Sequence, residues 1–188
     1  MDALGIFSAF GLSASAGLNA YIPLLVVSLL ARFTNLIELD APWDTLSSWW
    51  IIGLLIILSF IEFFADKIPA VNHLNDIIQT FIRPTAGAIV FAASAKVITD
   101  IHPVLSLAAG LLVAGSIHAA KSLAVRPAVT VATAGTGDIP VSILEDLISA
   151  VISILSVVIP VVVACLVIII TAWIVWKFQK RQNLYPHT

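Results

Sequence analysis

Residues 147–176 read LISAVISILSVVIPVVVACLVIIITAWIVW, thirty positions without one charged side chain. A hydrocarbon core about 30 Å thick needs roughly 20 apolar helical residues, so this stretch is long enough to cross a bilayer. Just before it, Ser142-Ile143-Leu144-Glu145 has the capping-box pattern of a helix start. A helix carried from there to Phe178 would be on the order of 50 Å long, and Pro160 is the expected kink. The chain as a whole is 60% hydrophobic and 11% charged over 188 residues, whereas a soluble domain carries about 25% charged residues. The bilayer is therefore the solvent. A net charge of -2 without a basic patch interleaved with aromatics leaves no footprint for nucleic acid.

Working outward, further apolar stretches are expected as spans at about 6–32, 47–65, 85–98 and 103–125, with the last at about 146–177. Together they predict an all-α polytopic membrane protein of about five spans, a single transmembrane domain over residues 1–188. The start, Met1-Asp2-Ala3, lacks the basic region of a signal peptide, so the first segment reads as retained structure. Its middle, Gly11 to Pro23, is rich in small residues and helix breakers. That predicts either one span with a small-residue packing face or a kinked or re-entrant segment whose break is buried or lines a cavity. Trp49-Trp50 suits an aromatic belt at the interface. From residue 69 to 81, Val71, Leu74, Ile77, Ile78 and Phe81 recur at helical spacing among Asn72, His73, Asn75, Asp76 and Gln79, which predicts a short interfacial amphipathic helix. Residues 127–141 are expected to be irregular loop, because Thr133-Ala134-Gly135-Thr136-Gly137-Asp138 is turn chemistry. Lys177, Lys180 and Arg181 form the densest cationic cluster beside a span end and argue for a cytoplasmic C-terminus. Counted back from that tail, the ends of the second and fourth spans share the opposite face.

Those two ends carry the informative charges. Glu62 and Asp66 lie four residues apart, on one helix face. Ionisable groups within apolar spans cost about 2.5 to 3.5 kcal/mol each on insertion scales and normally find partners. Arg83, Lys121, Arg126 and His118 are candidates to hold an anionic or phosphate-bearing substrate, helped by the backbone N–H groups of Gly135-Thr136-Gly137. Glu62, Asp66, Lys67, Glu145 and Asp146 are candidate ion-pairing or proton-carrying groups. Each has a plainer reading. The pairs would simply lock helices, Glu145-Asp146 would complement the dipole of a helix first turn, and His118 would be a packing histidine. Two carboxylates near His118 could in principle take a divalent ion, but no motif supports a metal or cofactor. Cys165 is the sole cysteine, so no disulfide framework is expected. There is also a faint internal symmetry. Phe60–Lys67 aligns with Ser116–Ser122, and each is followed by an Arg-Pro pair, as in transporters built from repeats.

The segments Gly17-Leu18-Asn19-Ala20-Tyr21-Ile22-Pro23-Leu24, Glu62 with Asp66-Lys67-Ile68-Pro69, Arg83-Pro84 with Ala86-Gly87, Arg126-Pro127, and Glu145-Asp146 occur in that order along most of the chain. They resemble a bacterial multi-pass membrane family, domain-of-unknown-function family 4126. The resemblance implies an inner-membrane location and transfers no catalytic role.

The expected function is a small transporter, channel or lipid-moving protein, a homo-oligomer because so few helices barely enclose a pathway. The alternatives are a membrane scaffold whose charges lock helices, and a membrane-embedded enzyme acting on lipid head groups. An enzyme is the less favoured, since neither a nucleophile elbow nor a metalloprotease motif is present.

Overall fold

The structure, a computed structural model, describes residues 2–67, 69–95, 102–160, 165–166, 168–173 and 176–177. Its α-helices are α1 (Asp2–Leu18), α2 (Tyr21–Phe33), α3 (Trp49–Ala65), α4 (Pro69–Ser94), α5 (Pro103–Ala120), α6 (Arg126–Thr133) and α7 (Asp138–Val158). A 3-10 turn over Trp43–Ser47 leads to α3, and a π-helical turn over Lys121–Val125 joins α5 to α6. No strand occurs among the described residues, and the fold is all-α as expected. Three helical stretches, Asn75–Ser94, Pro103–Thr133 and Asp138–Val158, are long and apolar enough to cross a membrane.

Small side chains decide how these helices meet. α4 lies most extensively on α5, and α1 packs against α4, α5 and α7. At the α4–α5 crossing, a Cβ on Gly110 would collide with the Gly87 carbonyl oxygen and come within 2.6 Å of Phe91 Cβ. A Cβ on Gly87 would collide with Ala114 Cβ. Both positions need glycine because two backbones touch there. Ser15 of α1 meets Ser149 and Ser153 of α7 through hydroxyl contacts of 2.8 and 2.6 Å. The large apolar residues face outward instead. Trp50, Leu54, Ile57, Ile61 and Phe64, spaced three and four apart, make one exposed stripe on α3, and Leu144, Leu147, Val151 and Val158 are exposed on α7. With small and polar residues inside and large apolar ones outside, the arrangement suits lipid surroundings.

Several boundaries differ from the sequence expectation. The first segment is two helices, broken at Asn19-Ala20. The expected interfacial helix and third span form one continuous helix, α4, which runs through Pro84. A proline inside a helix removes one backbone hydrogen bond, and packing on neighbouring helices lets membrane helices tolerate it. The Pro84 ring rests beside Gly115. In the expected loop 127–141, residues 127–133 are helical, because Pro127 suits a first helical turn. The true turn is 134–137, where Ala134 and Gly135 adopt φ of 50° and 84°. Accordingly α7 starts at Asp138 rather than Ser142, and the Ser142 hydroxyl points to Asp66 at 3.4 Å. α7 ends at Val158, and Ile159, the residue before Pro160, leaves helical geometry. The side chain of His73 and the tail residues Lys180 and Arg181 lie outside the described residues.

Candidate functional site: a buried charge network

The break in the first segment is closed by side chains. Asn19 Oδ1 accepts hydrogen bonds from the Tyr21 and Ile22 N–H groups at 3.1 and 3.0 Å, which caps α2. Lys121 Nζ donates to the Leu18 carbonyl at 3.0 Å and satisfies the end of α1. Asn19 Nδ2 then donates to Asp146 Oδ1 at 2.9 Å. The chain break within an apolar segment is therefore tied into the charged residues through Asn19 and Lys121, in keeping with backbone at membrane depth needing partners.

Those residues meet at one end of the bundle. The end of α3 supplies Glu62, with Asp66 and Lys67 just beyond it; α4 supplies Asp76 and Arg83; the α5–α6 junction supplies His118, Lys121 and Arg126; α7 supplies Glu145 and Asp146. Innermost is Arg83, whose Nη2 reaches Glu62 Oε1 at 2.9 Å with neither side chain exposed. Arg83 Nε also donates to Oε1, at 3.3 Å, while Glu62 Oε2 has no hydrogen-bond partner among the described residues. Arg126 Nη2 contacts Asp66 Oδ2 at 2.9 Å and Glu145 Oε2 at 3.4 Å, and its Nη1 contacts Asp76 at 2.9 Å. Lys121 pairs with Glu145 at 2.8 Å and Lys67 with Asp146 at 3.7 Å. The Lys67 ammonium also donates to the Phe63 carbonyl and lies over the Phe63 ring. Around Asp66 the balance is clear. Burial works to raise its pKa, but Arg126, then Arg83 and Lys121, outweigh it and hold the carboxyl below the usual aspartate value.

His118 is placed by donor logic. Arg83 can only donate, so His118 Nδ1, 3.3 Å from Nη1, accepts. A neutral ring then carries its proton on Nε2 and donates to Thr80 Oγ1 at 3.2 Å, while the Thr80 hydroxyl donates to the Asp76 carbonyl. Both ring nitrogens therefore have partners within the protein.

The nine residues singled out in the sequence are thus brought together, but as mutual partners. Glu145 and Asp146 belong to the network and not to a helix first turn, since α7 begins seven residues before Glu145. The Gly135-Thr136-Gly137 turn stands apart. Gly137 N–H donates to Thr133 Oγ1, and Asp138 accepts from Thr130. Asn19 is a site residue that the sequence reading does not single out. Asp76, an acidic residue of the amphipathic stretch, joins the network through Arg126; for Asn19 a lone polar residue inside a breaker-rich stretch is the available signal. A cleft of about 370 Å³, lined in part by Asp76, Arg126, Thr130 and Asp138, opens onto the network from outside.

Fold and site together define an α-helical membrane protein with a buried ion-pair network at one end of its bundle. The chain belongs to the family described as Domain of unknown function (DUF4126), which matches residues 6–180. Neither the curated proteins nor the solved structures returned a match.

Proposed function

We propose that this chain is a small membrane transport protein whose buried network carries a proton, alone or in exchange for another solute. The observation that carries the reading is an imbalance of charge. Among the described residues, five carboxylates (Glu62, Asp66, Asp76, Glu145, Asp146) face four cations (Lys67, Arg83, Lys121, Arg126), leaving one negative charge in excess. Unpaired charge is costly away from water, and a site of this kind relieves it by taking a proton. Glu62 Oε2, buried and without a hydrogen-bond partner among the described residues, is the place for that proton, and the cleft at Asp76 and Arg126 is its way in. An anion held by Arg83, Lys121 and Arg126, the reading favoured by the sequence, finds less support, because an incoming anion would compete with carboxylates already bound to each. The setting proposed is the cell inner membrane, with about five crossings, a cytoplasmic C-terminus and a homo-oligomeric assembly.

The test is reconstitution into liposomes loaded with a pH-sensitive dye. Under an imposed potential, proton entry is expected with the wild type and is expected to disappear in Glu62→Gln, which keeps the shape and loses the titrating group. A second reading, a scaffold whose charges lock the helices, is favoured by the pairing of all four cations. It gains if folded wild type moves no protons, or if folded Glu62→Gln moves them equally well.

A further inference from the structure

The cleft beside Asp76 and Arg126 has room for more than a proton. Its volume of about 370 Å³ falls in the range of about 300–1,000 Å³ found for small organic ligands. Two carboxylates line it, and both can be reached from outside: the Asp76 side chain is 26% exposed, and Asp138 is half-buried. Arg126, the cation of the lining, is already shared among Asp66, Asp76 and Glu145. Asp138 pairs with no cation among the described residues; Thr130 Oγ1 lies 2.8 Å from its Oδ1. That hydroxyl has one proton for two acceptors, since the Arg126 carbonyl lies 2.9 Å from it. The dipole of α7 favours a carboxylate in its first turn, yet Oδ2 is left without a donor among the described residues. Pro127, Val129, Val131 and Val141 add apolar wall.

A carboxylate oxygen open to a donor, in an acidic cleft with apolar sides, matches a cation with an apolar body. We infer that the cleft binds a small organic ammonium and that this is the solute exchanged for the proton; the exchange rests on the transport reading above, whereas the binding does not. The ammonium donates to Asp138 Oδ2 in the field of Asp76, and the apolar body lies against the proline and valine wall. An anion would meet two carboxylates and an arginine already bound to three. A bare metal ion would leave the apolar wall unused, and the described residues hold no group of three metal-ligating side chains. A bound ammonium also supplies the positive charge that the network, with five carboxylates against four cations, otherwise takes up as a proton. The two ligands therefore weaken each other by the same factor, which is what exchange requires.

Binding is to be measured by calorimetry on the full-length protein in phosphatidylcholine nanodiscs at pH 7, with phenethylammonium as the probe and empty nanodiscs as the blank. Phenylethanol and 3-phenylpropionate, one neutral and one anionic, are controls of similar size. The ammonium is expected to bind about tenfold more tightly than either. Asp138→Asn should weaken it about tenfold, the loss of one charge-assisted hydrogen bond. Val141→Trp, which fills the cleft and leaves the charges in place, should abolish binding, and it carries the test if Asp138→Asn does not fold. Equal binding of the three probes, or ammonium binding unchanged in either folded variant, overturns the assignment. Binding that depends on Asp138, with no proton movement through folded wild type, overturns the exchange and upholds the site. Proton movement without ammonium binding overturns the site and upholds the proton reading.

Discussion

Arg83 and Arg126, the two arginines that each precede a proline, converge on a single oxygen: Asp66 Oδ2 lies 3.7 Å from Arg83 Nη2 and 2.9 Å from Arg126 Nη2. One carboxylate thereby ties α4 to the start of α6, from a position just past the end of α3.

Removing one side of the innermost pair should be far worse than removing both. Arg83→Met leaves the Glu62 carboxyl buried without its cation, and breaking such a pair costs about 3–5 kcal/mol. The double variant Arg83→Met/Glu62→Leu removes both charges and should recover most of that loss. Unfolding by sodium dodecyl sulfate in mixed micelles, compared across wild type, single and double variants, measures it. A double variant as unstable as the single one would contradict it.

The two glycine contacts make opposite predictions at different sites. Gly110→Ala forces apart the α4–α5 crossing and should destabilise by about 1–3 kcal/mol, as overpacking does. Gly53, with open space around the position of its missing Cβ, should accept alanine with no loss, or a gain of up to about 1 kcal/mol from helix propensity. The same micelle titration separates them.

The hydroxyl contacts between α1 and α7 should be modest in energy but strict in size. Ser15→Ala should cost about 0.6 kcal/mol, the average for a hydrogen bond between membrane helices. Ser15→Leu should cost several times more, because Ser149 and Ser153 leave no room at contacts of 2.6 to 2.8 Å. Similar midpoints for the alanine and leucine variants would show that the helices part easily.

Asp66 predicts an acid limit. Its folded pKa lies below the ordinary 3.8, so the unfolded chain takes up the proton first as the pH falls. The stabilisation is complete at neutral pH, begins to fade near the ordinary aspartate value, and is lost as pH drops through the lower folded value. Plots of unfolding midpoint against pH should therefore fall more steeply in acid for wild type than for Asp66→Asn, which should be the less stable protein at pH 7.

Much of the helix framework was legible in the residues. Pro103 marks the start of α5 because proline chemistry is local, whereas Pro160, expected to kink a helix running on to Phe178, lies just beyond the end of α7 at Val158. The α4 boundary was less legible. Pro84 reads locally as a break, but the helix is continued by contacts with other helices, which no neighbouring residue announces. The start of α7 was misplaced for a related reason. Ser142 and Glu145 have the spacing of a capping box, yet both side chains turn to partners on other elements.

What the sequence by itself determined is the solvent and the stock of charges: a chain this apolar folds in lipid, and its few ionisable groups must be paired. Which groups pair was decided only in the tertiary structure. The distances between Glu62 and Arg83, or between Asp66 and Arg126, depend on how small residues such as Gly87, Gly110 and Ser15 let the helices approach. Electrostatic attraction in a buried site depends on separation and on the surrounding medium, and neither can be read from positions along a chain.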